Sequence, residues 1–215
     1  MTALDGRVVA VAGGHGNAGP SVVRALEAAG ARVSAPARAE VDVLDPAAVE
    51  RWAAAVAGEA GRVDAVIHLV GGWRGGTPVA ATADEDVRWL HDRLFRTVQH
   101  VTAAFAAPLG ASGHGRFLLL SSKAAREPTA GNAAYAAAKA AAEAWTFAFG
   151  RELAEHGGAA NVVAVNAIVT PAMSEAEPDK AFKTFTDAED IAAALVWLCS
   201  DAAAKMQGQR VALHP

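Results

Sequence analysis

Two apolar runs limit the possible folds of this chain more than any other feature of its sequence. The runs read VDAVIHLV and RFLLLSS, and neither alternates between hydrophobic and polar residues. A strand with one face in water alternates, so runs of this kind are typical of strands buried on both faces. Such strands occur mostly in parallel sheets that are flanked by helices. The two runs therefore predict the interior of an α/β protein.

Strand and helix patterns alternate along the whole chain. Strands are predicted at residues 7–12, 32–35, 63–70, 116–120 and 161–167, with short ones at residues 40–43 and 210–213. Helices are predicted at residues 18–29, 46–58, 84–107, 132–155 and 188–200. Strand–helix–strand repetition indicates a doubly wound parallel sheet with helices on both faces. Because 215 residues contain no linker and no short-period repeat, residues 1–215 are predicted to form one domain.

Charge and hydropathy argue against several kinds of partner. The formal net charge is -4 and no basic run is present, so we expect no nucleic-acid partner. The apolar stretches are too short to span a bilayer and the first residues lack a signal-peptide pattern, so we expect no membrane partner. The one cysteine, Cys199, cannot form an internal disulfide, and a cytoplasmic location is the default prediction. The seven histidines lack metal-ligand spacing, so no metal site is predicted.

A glycine-rich loop, AGGHGNAGPS, follows the first predicted strand and opens the first predicted helix. Gly14, Gly16 and Gly19 satisfy the pattern G-x-G-x-x-G in the context that this motif requires. Glycine lets the backbone approach a pyrophosphate closely, and the start of a helix offers free N–H groups to it. The alternative is a tight turn that binds nothing, but the position of the loop favours nucleotide binding.

The end of the second predicted strand bears on the choice of nucleotide. A carboxylate at this place would bind the adenosine ribose hydroxyls and select NAD. The sequence reads VSAPAR, so Ala37 and Arg38 stand where that carboxylate is expected. Because a guanidinium can pair with a 2′-phosphate, we favour NADP(H) over NAD(H). A few residues on, two interpretations of Asp42 are open: it accepts a hydrogen bond from the adenine amine, or it caps the helix that begins near Pro46.

The only tyrosine of the chain, Tyr135, lies four residues before Lys139 in an alanine-rich helix. This spacing puts both side chains on one helix face, where an ammonium would lower the pKa of the phenol toward neutrality. A phenol tuned in this way is a useful proton donor. Ser121 and Ser122 end the buried run RFLLLSS, and strand ends of a parallel sheet share one rim with the glycine loop.

These pieces together resemble the short-chain dehydrogenase/reductase family, and the likeness covers nearly the whole chain. The motifs that carry it are AGGHGNAG, DVLD, VDAVIHLVGG, LLLSS before YAAAK, and VNAIVTPAM. The resemblance implies a Rossmann-type fold and hydride transfer between a nicotinamide cofactor and a small-molecule carbonyl or alcohol. It implies that Tyr135 gives a proton to the carbonyl oxygen, that Lys139 lowers the phenol pKa and binds the nicotinamide ribose, and that Ser122 orients the carbonyl. The cofactor-binding residues implied in this way are Gly13, Gly14, Gly16, Asn17, Gly19, Arg38, Asp42, Val43, Leu69, Gly71, Lys139, Val169 and Thr170.

The sequence departs from the family pattern at several points. Asn17 replaces a glycine of the loop, and His68 begins the segment that usually reads N-N-A-G. Arg93 aligns with an asparagine that helps to hold a proton-relay water, and an arginine cannot accept hydrogen bonds. Two interpretations of Arg93 are open: an anchor for an anionic substrate group, or a structural ion pair. The segment after Met173 is shorter than the usual substrate lid, and Trp73 on the rim either contacts substrate or covers the packing beneath it.

Two rival functions accompany the enzyme hypothesis. The departures favour a non-catalytic dinucleotide-binding protein that senses redox state or serves as an assembly subunit. A dehydratase or epimerase on the same scaffold is the second rival. The family resemblance also implies a homodimer or homotetramer, in which helices at residues 84–107 and 132–155 pair between subunits.

Overall fold

The computed structural model describes residues 2–214, except for the side chain of Glu59. Six parallel strands form the central sheet, and they are β1 (Val8–Ala12), β2 (Arg32–Ser34), β3 (Ala65–His68), β4 (Arg116–Ser122), β5 (Ala159–Val165) and β8 (Arg210–Ala212). Their order across the sheet is β2-β1-β3-β4-β5-β8. The predicted Rossmann-type doubly wound sheet is confirmed. Since the chain leaves β1 toward opposite sides for β2 and β3, a crevice opens beyond the carboxyl end of β1.

Helices cover both faces of the sheet. They are α1 (Gly19–Ala28), α2 (Pro46–Ala60), α3 (Asp84–His91), α4 (Thr97–Ala111), α5 (Ala133–Ala154), α6 (Pro171–Ala176) and α7 (Ala188–Cys199). Leu118 and Leu120 of β4 pack under α1 and α7, while Phe117 and Leu119 of the same strand face the side of α2, α4 and α5. Successive residues of β4 thus enter different cores, and every residue of β4 is buried. This burial on both sides is why the sequence of β4 lacks polar alternation. Across the described range, no helix is long and apolar enough to cross a membrane.

The prediction of a short strand at residues 40–43 is wrong. The amide groups of Glu40 and Val41 both donate to the carbonyl of Ala37, and the Glu40 carboxylate accepts from the Ala37 amide at 2.7 Å. These local hydrogen bonds close a turn directly after Pro36. Glu40 and Val41 therefore do not join the sheet, and β2 forms its edge.

The predicted single helix at residues 84–107 is two α-helices separated by a π-helical turn, Asp92–Arg96. In this turn the amide of Thr97 donates to the carbonyl of Asp92 instead of that of Arg93. The carbonyl of Arg93 accepts from the Thr97 hydroxyl at 2.8 Å instead. Single π-turns within α-helices are frequent at functional sites.

Beyond β5, a second pairing of strands was not predicted from the sequence. Strands β6 (Ala167–Val169) and β7 (Phe185–Asp187) pair in parallel outside the main sheet, with α6 between them. Thr170 caps the amino terminus of α6, because its hydroxyl accepts from the amide of Met173. This compact excursion follows the carboxyl end of β5 and so adjoins the crevice.

Candidate active site

The glycine loop is wound tightly between β1 and α1. Gly13 has a φ of +85°, and a Cβ atom there would lie 2.9 Å from the amide nitrogen of Val70. A Cβ atom on Gly19 would lie 2.1 Å from the carbonyl oxygen of Gly14. Only glycine fits at these two places, because one needs a left-handed backbone and the other has no room. No side chain in the described residues caps the amino terminus of α1.

This arrangement fits a dinucleotide. The uncapped helix start leaves N–H groups and the positive end of the helix dipole available to a pyrophosphate. Gly13, Gly16 and Asn17 line a cavity of about 830 Å³ that continues from the loop along the sheet edge. Leu69 and Gly71, after β3, line the same cavity. The residues present therefore fit a dinucleotide.

Arg38 and Asp42 stand at one end of this cavity, together with Val43. The Arg38 guanidinium lies 3.7 Å from the Asp42 carboxylate, and the two side chains are 67% and 45% exposed. Asp42 also accepts from the amide of Leu44, whereas Asp45 caps α2 by accepting from the amide of Ala47. The helix-cap interpretation of Asp42 is therefore wrong, and its carboxylate faces the cavity beside an accessible guanidinium.

The other end of the cavity contains Ser122, Tyr135 and Lys139. Ser122 is the last residue of β4, and Tyr135 and Lys139 lie one turn apart in α5. The side chain of Ser122 is near enough to the phenol of Tyr135 to influence its pKa. The Lys139 ammonium is buried and donates to the carbonyl of Leu120 at 3.0 Å. The structure thus brings the predicted phenol, amine and hydroxyl together on the rim that also carries the glycine loop.

The pKa of Tyr135 differs from the sequence-based prediction. Burial raises the pKa of the phenol, and the nearby side chain of Ser122 lowers it by less, so the net direction is upward from 10.0. Lys139 does not lower it, since its ammonium is directed at Leu120. Burial likewise lowers the pKa of Lys139 to about 8, although the carboxylate of Glu143 acts in the opposite direction. At neutral pH the phenol holds its proton and the amine is mostly charged.

His68, at the end of β3, is fully buried next to this group. Its Nε2 lies 3.1 Å from the hydroxyl of Thr97, and that hydroxyl donates its single proton to the carbonyl of Arg93. Nε2 must therefore carry the ring proton, and Nδ1 is a buried acceptor without a partner in the described structure. Burial and the charge of Lys139 lower the pKa of His68 to about 3. The imidazole is neutral at neutral pH.

The structure also shows the contacts of Arg93. Its Nε donates to the carbonyl of Gly71 at 2.7 Å, and its guanidinium lies 5.4 Å from the ring of Trp89. Among the described residues no carboxylate pairs with Arg93, so the ion-pair interpretation of Arg93 is wrong. Arg74, by contrast, pairs with Asp86 at 2.8 Å and stacks on Trp89. Arg93 lines the cavity and holds the Gly71 segment in place.

Several predicted cofactor residues lie off the cavity wall. Gly14 and Gly19 shape the loop from behind, and a Cβ atom on Gly14 would meet the Cβ of Ala35 at 2.8 Å. Val169 is buried in β6, and Thr170 caps α6, so neither lines the cavity. Residues just before them take their place. The cavity-lining residues that sequence reasoning missed include His15, Trp52, Val70, Gly72, Thr97, Asn132, Asn166 and Ile168.

Sequence motifs could not identify these residues. The motif places only loop glycines and strand ends, whereas Trp52 and Thr97 reach the cavity from helices α2 and α4. Asn132 directly precedes α5, and its only signal in the sequence was its closeness to Tyr135. Asn166 directly follows β5, and its only signal was its place in the motif VNAI.

One cavity contains both a loop that fits a dinucleotide and the side chains of Ser122, Tyr135 and Lys139. This arrangement is typical of an oxidoreductase that uses a nicotinamide cofactor. Known proteins agree with this class. The profile of the family described as Enoyl-(Acyl carrier protein) reductase matches residues 3–213. The chain therefore belongs to the short-chain dehydrogenase/reductase family, and it is an NAD(P)-dependent enzyme of that family.

Individual relatives are distant. The 3-oxoacyl-[acyl-carrier-protein] reductase FabG of Escherichia coli (strain K12) is 26% identical over 232 aligned residues, which cover 96% of this chain and 95% of that protein. An uncharacterized NAD-dependent oxidoreductase of Mycobacterium tuberculosis (strain ATCC 25618 / H37Rv) is 28% identical, with 88% of this chain and 74% of that protein covered. The crystal structure of gox2181 superposes with a TM-score of 0.85 at 24% identity, over 98% of this chain and 95% of that one.

Proposed function

We propose that this protein is an NADPH-dependent carbonyl reductase in which Ser122, Tyr135 and Lys139 are the catalytic residues. The observation that carries the proposal is that Ser122, Tyr135 and Lys139 line the same cavity as the glycine loop. A binding module has no need of a half-buried phenol next to a strand-end hydroxyl and a buried ammonium. The arrangement is therefore assigned to proton transfer.

Each of the three side chains has a separate role in the reduction of a carbonyl group. Nicotinamide, when bound, supplies hydride to the carbonyl carbon. Ser122 donates a hydrogen bond to the carbonyl oxygen and orients it toward Tyr135. Tyr135 gives its proton to that oxygen as negative charge develops there. Lys139, whose buried ammonium donates to the carbonyl of Leu120, is proposed to bind the ribose next to the nicotinamide.

The direction of the pKa shift of Tyr135 is compatible with a role as an acid. Burial raises the pKa of the phenol, so the group is protonated at neutral pH. Oxidation of an alcohol would use the phenolate as a base, so the oxidation rate is expected to rise with pH.

NADP(H) is proposed over NAD(H) because of Arg38. Its exposed guanidinium lies at the adenosine end of the cavity, next to Asp42 and Val43. A 2′-phosphate would find there a planar donor suited to bidentate contact. Asp42 is near enough to repel the phosphate, and this repulsion limits the gain.

The substrate class rests on the open end of the cavity and on relatives. The lid segment around α6 is short, and its residues Glu175 and Glu177 are exposed. The relative from Escherichia coli is named a reductase of 3-oxoacyl groups on acyl carrier protein. A 3-oxoacyl thioester, either free or carrier-borne, is therefore the first substrate to assay.

The test of the function is the substitution Tyr135→Phe, which removes only the phenol oxygen. We expect turnover of a 3-oxoacyl thioester with NADPH to fall about 10²-fold or more, the usual contribution of general acid catalysis. Cofactor affinity, measured by fluorescence titration, is expected to stay within about threefold. Unchanged turnover would show that the phenol is not the acid.

The same assays separate the rival functions. A non-catalytic sensor or assembly subunit would bind NADPH but consume none with any carbonyl or alcohol. A dehydratase or epimerase would convert its substrate without a net change in nicotinamide absorbance. Oxidation of NADPH at a rate proportional to enzyme concentration is expected only for the reductase.

We also propose that the chain forms a homodimer or homotetramer through the outer faces of α4 and α5. Exposed alanines line these faces, and Trp145 is 39% exposed among them. Small side chains permit close approach of helices from a second copy. Ala144→Glu is expected to give monomers in sedimentation experiments, whereas Ala47→Glu, on the exposed side of α2, leaves the assembly intact. A cytoplasmic location remains a prediction.

A further inference from the structure

The end of β4 is held by three charged side chains, one for each of its last three residues. Lys139 donates to the carbonyl of Leu120 at 3.0 Å, and Ser121 donates to the carboxylate of Glu143 at 2.6 Å. The third contact, to the carbonyl of Ser122, comes from Arg210 of β8 at 3.0 Å. Two of the three charged groups are not among the proposed catalytic residues.

Glu143 and Arg210 form a buried ion pair behind the site. The Nε of Arg210 lies 3.1 and 3.2 Å from the two carboxylate oxygens of Glu143. Their side chains are 9% and 6% exposed. A buried charge is costly unless it is paired and fully hydrogen-bonded, and breaking such a pair is strongly destabilising. A buried ion pair has a desolvation penalty at any buried position in the fold. The position of this pair directly behind Ser122 therefore suggests that it acts on Ser122.

The geometry joins the pair to both ends of the catalytic group. Arg210 fixes the backbone of Ser122, whose hydroxyl also accepts from the amide of Ala124 at 3.2 Å. Glu143 follows Lys139 by one helical turn on the same face of α5. The edge strand β8 is thereby tied to the strand that carries the reactive hydroxyl, across β5, which lies between them.

We propose that Glu143 and Arg210 are positioning residues that hold Ser122 in register with Tyr135 and keep the amino group of Lys139 charged. The role in catalysis rests on the proposed function, but the role in the charge of Lys139 does not. Substitution of Glu143 or Arg210 should therefore alter the kcat and the pH dependence of the enzyme more than an equally destabilising substitution far from the site.

The charge of Lys139 depends on its burial and on the carboxylate of Glu143. Burial and Glu143 act in opposite directions on the pKa of Lys139, which lies at about 8. Removing the carboxylate removes the upward influence, so the amine loses its proton at lower pH. The titratable and charged groups around this cluster are Tyr135 and Glu143 of α5, His68 of β3, Arg210 of β8 and, 4.0 Å from Glu143, Arg126.

The first experiment follows the titration of Lys139 and needs no turnover. The full-length protein labelled with ¹³C and ¹⁵N in lysine is titrated by NMR, and the Lys139 signal is assigned by its loss in Lys139→Met. We expect a midpoint of about 8 in the wild type and a midpoint about one pH unit lower in Glu143→Gln. An unchanged midpoint would overturn the electrostatic part of the proposal.

The matched control is Asp64→Asn. Asp64 is also a buried carboxylate with an arginine partner, Arg62 at 2.9 Å, but it precedes β3 at the opposite end of the sheet. We expect this variant to lose stability while leaving the Lys139 midpoint and the pH profile of kcat unchanged. A shift as large as that of Glu143→Gln would mean that any buried carboxylate has the same effect, and the proposal would fail.

The second experiment measures kcat and KM for NADPH-dependent reduction as a function of pH. Glu143→Gln and Arg210→Met are expected to lower kcat by about tenfold or more with little change in cofactor KM, since small misplacements of reacting groups are costly. The alkaline fall in activity should move to lower pH in Glu143→Gln. Arg210→Lys, which keeps the charge but loses the fork, should recover part of kcat.

A double variant guards against simple misfolding. Glu143→Gln/Arg210→Gln leaves neither member of the pair as an unpaired buried charge, so its resistance to denaturant should exceed that of the less stable single variant. We expect kcat to stay low even so, and a return of kcat to the wild-type value would overturn the positioning role. If the wild-type protein reduces no carbonyl at all, the proposed function fails, and the NMR titration alone decides about Lys139.

Discussion

Trp73 lies edge-on to the ring of Tyr135, with ring centroids 4.8 Å apart and an interplanar angle of 69°. Trp73 is 58% exposed, so one edge of its indole faces solvent while its other side contacts the only tyrosine. Edge-to-face pairs of this kind stabilise an arrangement by about 0.5–1.5 kcal/mol beyond the burial of area. Trp73 also lines the cavity. Both interpretations of this residue therefore have support, because it packs against the phenol and stands where substrate would enter.

Substitution Trp73→Ala is expected to reduce kcat/KM for a carbonyl substrate by about fivefold, within the range that an aromatic pair provides. The affinity for NADPH should not change, because Trp73 is near the phenol and not near the glycine loop. Trp197→Ala is a matched control, since Trp197 is 43% exposed on α7 and does not line the cavity. Equal losses in both variants would contradict a role at the site.

Arg38→Ala is expected to weaken NADPH binding by about tenfold or more and NADH binding by less than about twofold, since a charge-assisted contact to the 2′-phosphate is lost. Asp42→Asn should instead strengthen NADPH binding, because it removes the carboxylate that repels the 2′-phosphate. Arg51→Ala, which removes an equally exposed arginine outside the cavity, should change neither affinity. The measurement is the dissociation constant of each cofactor from fluorescence titration at fixed salt concentration. Equal weakening of NADPH and NADH binding would refute the NADP(H) proposal.

His68 predicts a specific dependence of stability on pH. Its pKa is lowered from 6.5 to about 3 in the folded chain, because burial and the charge of Lys139 disfavour the imidazolium. Between these values the unfolded chain binds a proton that the folded chain does not, so stability rises with pH in this window and falls on acidification. Denaturant unfolding from pH 7 to pH 4 should show a shallower fall for His68→Asn than for the wild type. His156→Asn, at an exposed site, should leave the slope of the wild type unchanged.

Gly19→Ala tests the tight turn of the glycine loop. The added Cβ atom would lie 2.1 Å from the carbonyl oxygen of Gly14, and backbone atoms cannot move aside cheaply. We expect a loss of about 2 kcal/mol in the free energy of unfolding and a marked loss of NADPH affinity. Gly58→Ala, in the open interior of α2, should instead stabilise the protein by about 0.5–1 kcal/mol. Denaturant melts of the two variants side by side provide the comparison.

Local patterns in the sequence were sufficient to predict the sheet, the glycine loop and the shared rim of Ser122 and Tyr135. Each of these depends on short-range rules: burial on both faces of β4, steric freedom at glycine, and a four-residue spacing on a helix. The wrong predictions share another cause. The strand at residues 40–43 and the unbroken helix at residues 84–107 both failed because a few hydrogen bonds at Ala37 and Thr97 outweighed the propensity of the segment.

The amino-acid sequence by itself determined that a glycine loop and a tyrosine–lysine pair share one edge of a parallel sheet, since periodicity and strand direction decide this locally. Only the tertiary structure decided which atoms meet there. The ammonium of Lys139 turns to Leu120, Arg210 reaches Ser122 from β8, and Thr170 caps a helix instead of lining the cavity. These contacts join residues far apart in the chain, and they depend on how separate strands and helices pack, which no local pattern encodes.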